Sequence, residues 1–252
     1  MFFKKPILAL LLFSFPFILF AQPESWKDKL PDFEIQPVIG LQLWSSYTIG
    51  QEVYDERTGR YNAVDNRLNF QLRRSRLGFK GQVYKNLKFN LTTAFDLVGR
   101  DVLSGTEAGS NNGGSPKLRL WNAYLQWKII PGSEKLNLTT GYFPVQIGRE
   151  SITSALRSPS MEKSWSQNYL RRHLVGIGPG RAFGANFGGL FLNDSGNIHW
   201  GYDLGIFNPA FRDYNNNSVG DDYSPLLSGR LAVYIGDPES GKYSIGHKIN
   251  YF

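Results

Sequence analysis

Arg74, Arg76 and Lys80 fall at alternate positions of one stretch, residues 70–96, reading FQLRRSRLGFKGQVYKNLKFNLTTAFD. Side chains alternate across a β-strand with period two, so these cations share a face with Gly78 and Gln82. Ser75, Leu77, Phe79, Gly81 and Val83 form the opposite face. A three-residue turn is predicted at Tyr84-Lys85-Asn86. Beyond it a second arm repeats the plan, with Lys88, Asn90, Thr92 and Asp96 against Leu87, Phe89, Leu91, Phe95 and Leu97. Such a hairpin can attract anions. Arginine holds phosphate or carboxylate with a two-pronged fork, and lysine acts as a point charge. The apolar face then has to meet either a core or lipid.

Other reactive constellations fail on spacing. His173, His199 and His247 are the three histidines. His199 and Asp203 share a strand face but stand four residues apart, roughly 13 Å along a strand, too far for a His–carboxylate pair. Gly176, Gly178 and Gly180 mimic a phosphate loop, but Pro179 intrudes and no strand-to-helix context follows. Asp213, Asn215 and Asn217 mimic a calcium loop, but Gly220 falls one place late and no glutamate closes it. With no cysteine, disulfides and thiolate metal sites are excluded. No catalytic residue, metal site or cofactor is expected, and the chain reads as a non-enzyme.

The elements that must carry the cations are strands. The 252 residues are 15% aromatic and 19% charged, with 27 glycines, a composition that leans to β structure. Alternating segments recur at about 36–49, the two arms of 70–96, 118–130, 136–147, 182–192, 198–208, 226–235 and 243–251. In the segment at 118–130, Trp121, Ala123, Leu125, Trp127 and Ile129 are predicted to face one way, and Asn122, Tyr124, Gln126 and Lys128 the other. No amphipathic helix of ordinary length is expected. Most segments are longer than the usual soluble strand, and a tilted membrane strand needs about 9–11 residues. Long polar loops (51–67, 101–117, 150–180 and 209–225) alternate with tight turns (84–86, 131–135, 193–197 and 237–242). That alternation marks outer-membrane barrels, whose external loops are long and periplasmic turns short. Trp44, Tyr47, Trp121, Trp127, Tyr142, Trp200, Tyr243 and Tyr251 near strand ends suit aromatic girdles.

The N-terminus carries Lys4 and Lys5, an apolar run from Pro6 to Phe20, then Ala21-Gln22. This is the pattern of a secretory signal peptide. The expected organisation is a signal at 1–21, a periplasmic lead-in at 22–35 and a barrel over 36–252. The fold class is all-β, an antiparallel transmembrane β-barrel. Nine strands are predicted. Bacterial barrels have an even number, and open edges do not survive in lipid. The expectation is therefore an N-terminal fragment of a longer barrel. The net charge of +7 is compatible with several anionic partners, but the placement of the bases favours a lumen. The lumen-facing candidates are Arg74, Arg76, Lys80, Lys88, Lys128, Arg230 and Lys248.

RRSRLGFKG at Arg73–Gly81 resembles the phosphate-selective porin O and P family. LRLWNAYLQW at Leu118–Trp127, Gly141-Tyr142-Phe143-Pro144, GRAFGANFGG at Gly180–Gly189, Ile206-Phe207-Asn208 and Arg230 follow in the family's order. Phe143 and Gln71 stand where members often carry a basic residue. The resemblance implies a sixteen-stranded, trimeric barrel with a third loop folded inward. In that loop Arg157, Lys163, Arg171, Arg172 and Arg181 would line a constriction, with Trp165 and Tyr169 packing on the wall. It implies passive diffusion of small anions such as phosphate across the outer membrane. The implied partners are those solutes, outer-membrane lipid and two further copies of the chain, with no nucleic acid. The competing class is a non-conducting barrel that binds a ligand or surface partner through its long loops.

Overall fold

The computed structural model describes residues 33–103, 117–157, 163–193, 196–208, 224–236, 238 and 240–246. The expected signal, most of the lead-in, Asp213–Asn217, Lys248 and the far part of the last predicted strand lie outside them.

Eight strands form one antiparallel wall: β1 (Glu34–Thr48), β4 (Arg67–Tyr84), β5 (Leu87–Ala94), β6 (Arg119–Lys128), β7 (Asn137–Pro144), β8 (Arg181–Phe191), β9 (Ile198–Asn208) and β10 (Leu226–Ile235). Each pairs with the next. Among the described residues the sheet is not closed: β1 and β10 are its edges. Two short strands, β2 (Glu52–Asp55) and β3 (Arg60–Ala63), make a separate hairpin inside the first long loop. The predicted strand at Tyr243–Tyr251 is corrected where it is described, because residues 243–246 are irregular. Tyr243 and Ile245 instead lie buried against the wall's inner side.

The long third loop is also partly helical, contrary to expectation. It contains α1 (Arg149–Ile152), a 3-10 turn (Ala155–Arg157) and α2 (Trp165–Val175). The Ser164 side chain caps α2 by accepting from the Gln167 N–H, and Gly176 ends it at φ 83°. Of the three glycines that mimic a phosphate loop, Gly176 closes this helix and Gly180, at φ 66°, leads into β8.

The wall's two faces differ in kind. Leu43, Phe70, Phe79, Leu91, Phe183, Leu204, Leu227 and Leu231 are exposed on the outer face, Leu43 by 76%. A soluble chain rarely leaves so much continuous apolar surface in water, whereas lipid would cover it. The inner face carries the polar residues, and one cavity of about 1160 Å³ is lined from β1 through β10.

Three bulges adjust this alternation. Between β1 and β4 the register shifts from Gln42–Arg74 to Leu43–Leu72, so that the register skips Arg73. Before the bulge odd-numbered residues of β4 face inward, and after it even-numbered ones do. Asn69 and Gln71 are thereby buried on the same side as Arg74 and Arg76. A second bulge, at Val83, shortens the predicted turn to Lys85-Asn86, so that Tyr84 pairs Leu87. A third leaves Trp121 unpaired between Leu120 and Asn122. Its indole lies inside, against arginines, not on the lipid face with Trp127 as the alternation predicts. Leu97 also departs from its predicted outward face: at φ 63° it turns into the cavity wall, 3% exposed.

With lipid on the outer face alone, Leu91→Arg, near mid-wall, should destabilise the liposome-embedded protein by about 2–4 kcal/mol. Gln36→Lys, facing the cavity, should change stability by less than about 0.5 kcal/mol. Denaturant titration of the two variants checks this.

Candidate functional site

The inner face divides into a basic part and an apolar part. The apolar part is built by Phe143 of β7, Ala182 and Leu190 of β8 and Phe207 of β9, all buried. The Phe143 and Phe207 rings meet edge to face, centroids 5.2 Å apart. Val145 and Val175, from the two ends of the third loop, are buried on this patch, with Ile177 packed beside them. Phe143 therefore serves as a dock for the loop. A basic residue there would be buried without a partner.

Docking fixes which side of α2 looks into the cavity. Arg171 and Val175, four residues apart, are its buried positions. Trp165 and Tyr169 do not pack on the wall as expected. They are 75% and 62% exposed, and Tyr169 stacks on His173 instead. Helical spacing places them about 120° around the helix from Arg171 and Val175. Arg171 donates to the Gln167 carbonyl and to Asn168 Oδ1. A Cβ on Gly180 would stand 2.3 Å from the Arg171 Cδ, so only glycine lets the loop's end pass this side chain.

Opposite the loop, Arg74 Nη1 donates to Gln42 Oε1 at 2.6 Å. Arg76 forms a buried ion pair with Asp96 at 2.7 Å and also donates to the Ser75 carbonyl. Asp96 Oδ1 accepts the Ser75 N–H as well, so one carboxylate fixes both the bulged strand and its arginine. Arg181 donates from Nε to Asn122 Oδ1 at 3.1 Å and from Nη1 to the Pro179 carbonyl at 3.0 Å. The Trp121 ring contacts both guanidiniums, with Arg76 Cζ 3.5 Å and Arg181 Cζ 3.6 Å from its centroid. Lys163 donates to the Glu150 and Ser151 carbonyls.

Among the described residues the cavity lining contains twelve arginines and lysines and two carboxylates, Glu34 and Asp96. Arg74, Arg76, Lys80, Lys88, Lys163, Arg171, Arg172, Arg181 and Arg230 are among the twelve. Of the other candidates Lys128 is not in the lining, and Arg230, which is, already has a partner. Lys128 meets Glu134 at the tight turn after β6. Arg230 donates twice to Asp203, which also accepts from Asn186 and Tyr243. Arg157 belongs to the 3-10 turn, its side chain outside the described residues, as is Lys248. His199 Nδ1 accepts the Asn193 N–H and does not meet Asp203. Arg119 lines the cavity without having been predicted to. Its position, two before the bulged Trp121, has the wrong parity for the lumen unless the bulge is known.

A family model of phosphate-selective porin O and P matches residues 45–221. The chain belongs to this family of porins. A search of curated proteins found no match. The protein is thus an outer-membrane porin, from a family of channels and not of enzymes. Within the porin, the described residues contain no group of three metal-binding side chains.

Lys163 makes this lumen sensitive to pH. Burial, then the nearby charges of Arg171 and Arg181, pull its ammonium down to about 7, with Arg74 adding to the effect and Glu150 opposing it. Below that pH the loop carries one more positive charge, and above it one fewer. The positive charge facing the cavity should therefore fall as pH rises through about 7. Lys163→Gln should flatten that step while leaving the pore open, as reversal potentials across a pH series would report.

Proposed function

We propose that this porin passes small anions passively, with phosphate among its preferred solutes. One observation carries the reading: Arg74, Arg76, Lys163, Arg171 and Arg181 come together on the cavity side of the docked loop, where few carboxylates oppose them. Cations lining a water-filled passage concentrate anions and lower their entry barrier. Arginine forks suit a tetrahedral oxyanion, which can accept from several donors at once. Partial occupation of those donors by Gln42, Asn122 and Asp96 holds the forks in place without quenching most of the charge.

The same reading places the chain in the outer membrane as a trimer after removal of residues 1–21. The basic pattern of Lys4 and Lys5 before the apolar run supports export. The trimer rests on the family resemblance. A second reading, a barrel that binds a partner through its loops, draws on the β2–β3 hairpin. There Tyr54 and Tyr61 pair at 5.2 Å while remaining 52% and 69% exposed.

Phosphate added to a KCl bath should lower chloride conductance saturably. Replacing Arg74 and Arg171 together by glutamine should raise the phosphate needed about tenfold, since each charge-assisted hydrogen bond lost weakens the site. Lys128→Gln should leave it unchanged, because that charge is paired at the wall's end. A folded porin that conducts no ions would favour the binding reading.

A further inference from the structure

The Trp121 indole lies between two guanidiniums that come from strands it does not pair with. Arg76 projects from β4 and Arg181 from the start of β8, each two strands away from β6 in the wall. Their Cζ atoms are 3.5 and 3.6 Å from the same ring centroid. At those distances each must sit over the ring, and two guanidiniums cannot share one face. They occupy opposite faces, with the indole as the spacer.

This arrangement answers a physical difficulty. Two like charges brought together inside a wall repel each other, and water between them would leave both side chains free to swing apart. An aromatic ring presents negative potential on both faces, so it attracts both cations at once and fixes their separation. Each guanidinium is tethered at its other side. Arg76 reaches Asp96 through Nη1, and Arg181 reaches Asn122 and Pro179 through Nε and Nη1. A guanidinium has five donor hydrogens, so each keeps hydrogens for a further acceptor. The bulge at Trp121 is what delivers the ring, because regular alternation would put it in lipid.

We infer that Trp121 is the positioning residue of the anion path: its ring holds Arg76 and Arg181 at a fixed spacing with their free N–H edges available to a passing oxyanion. This rests on the anion-porin reading above. Trp121 need not touch the solute. It acts through the two arginines, and its electronic character matters as well as its bulk.

The test compares Trp121→Phe with Trp121→Leu in the full chain, reconstituted in planar bilayers. Both replacements are large and apolar, and only phenylalanine keeps a π face. Phenylalanine should hold the phosphate concentration for half-block of chloride current within about twofold of the original. Leucine should raise it by about fivefold or more and reduce the anion-to-cation permeability ratio, in keeping with loss of two cation–π contacts. Resistance of the folded band to unfolding in mild detergent controls for structure. Equal values for the phenylalanine and leucine variants overturn the inference, whether both match the original or both fall together. If the unaltered channel shows no anion preference, the underlying reading fails and this role with it. An anion-selective original with indistinguishable variants overturns the role of Trp121 alone.

Discussion

Holding several arginines together with few opposing carboxylates is the constraint on which the rest of the structure depends. Uncompensated like charges would scatter unless each were tied down. Here each has a tether of different chemistry. Asp96 takes Arg76 and the bulged backbone at Ser75, Gln42 takes Arg74, and Asn122 with the Pro179 carbonyl takes Arg181. Arg171 comes from a helix and not from the wall, so its position depends on how the third loop is seated. The buried patch of Phe143, Phe207, Ala182 and Leu190 supplies that seat, and Val145 and Val175 fill it. The apolar part of the inner face thus serves the basic part.

The outer face imposes the complementary demand. An outer surface as apolar as Leu43, Phe70, Leu204 and Leu227 make it suits an apolar surrounding such as lipid, so charges turn inward. Strict alternation along β4 would send either the Gln71 side or the Arg74 side outward. The bulge at Arg73 removes that conflict and buries both sets inside. The bulge at Trp121 does the same for a ring that the arginines need.

Much of the wall was legible in the sequence. Period-two alternation located β9 at Ile198–Asn208 and β10 at Leu226–Ile235 to the residue, and the shared face of Arg74, Arg76 and Lys80 was read correctly. Bulges were not legible, because one unpaired residue leaves no compositional mark. Trp121 was accordingly assigned to the lipid and Arg119 was overlooked. The helix α2 was missed for another reason. Its buried side is Arg171, which lines the polar cavity, and Val175, which packs on the apolar patch, so it lacks the apolar stripe by which helices are recognised. Ser164 before it and Gly176 after it were the available signals. The last segment alternates like a strand, yet Tyr243 and Ile245 are buried on the inner side, where Tyr243 donates to Asp203. Alternation reports which residues share a face, and does not say whether that face joins the wall.

The central claim is that the basic inner face is an anion-conducting lumen. The most direct measurement is the zero-current potential of the full chain in a planar bilayer under a KCl gradient. The account predicts a potential near the chloride equilibrium value, moving toward zero when Arg74 and Arg171 are neutralised. A potential near the potassium equilibrium value would contradict it.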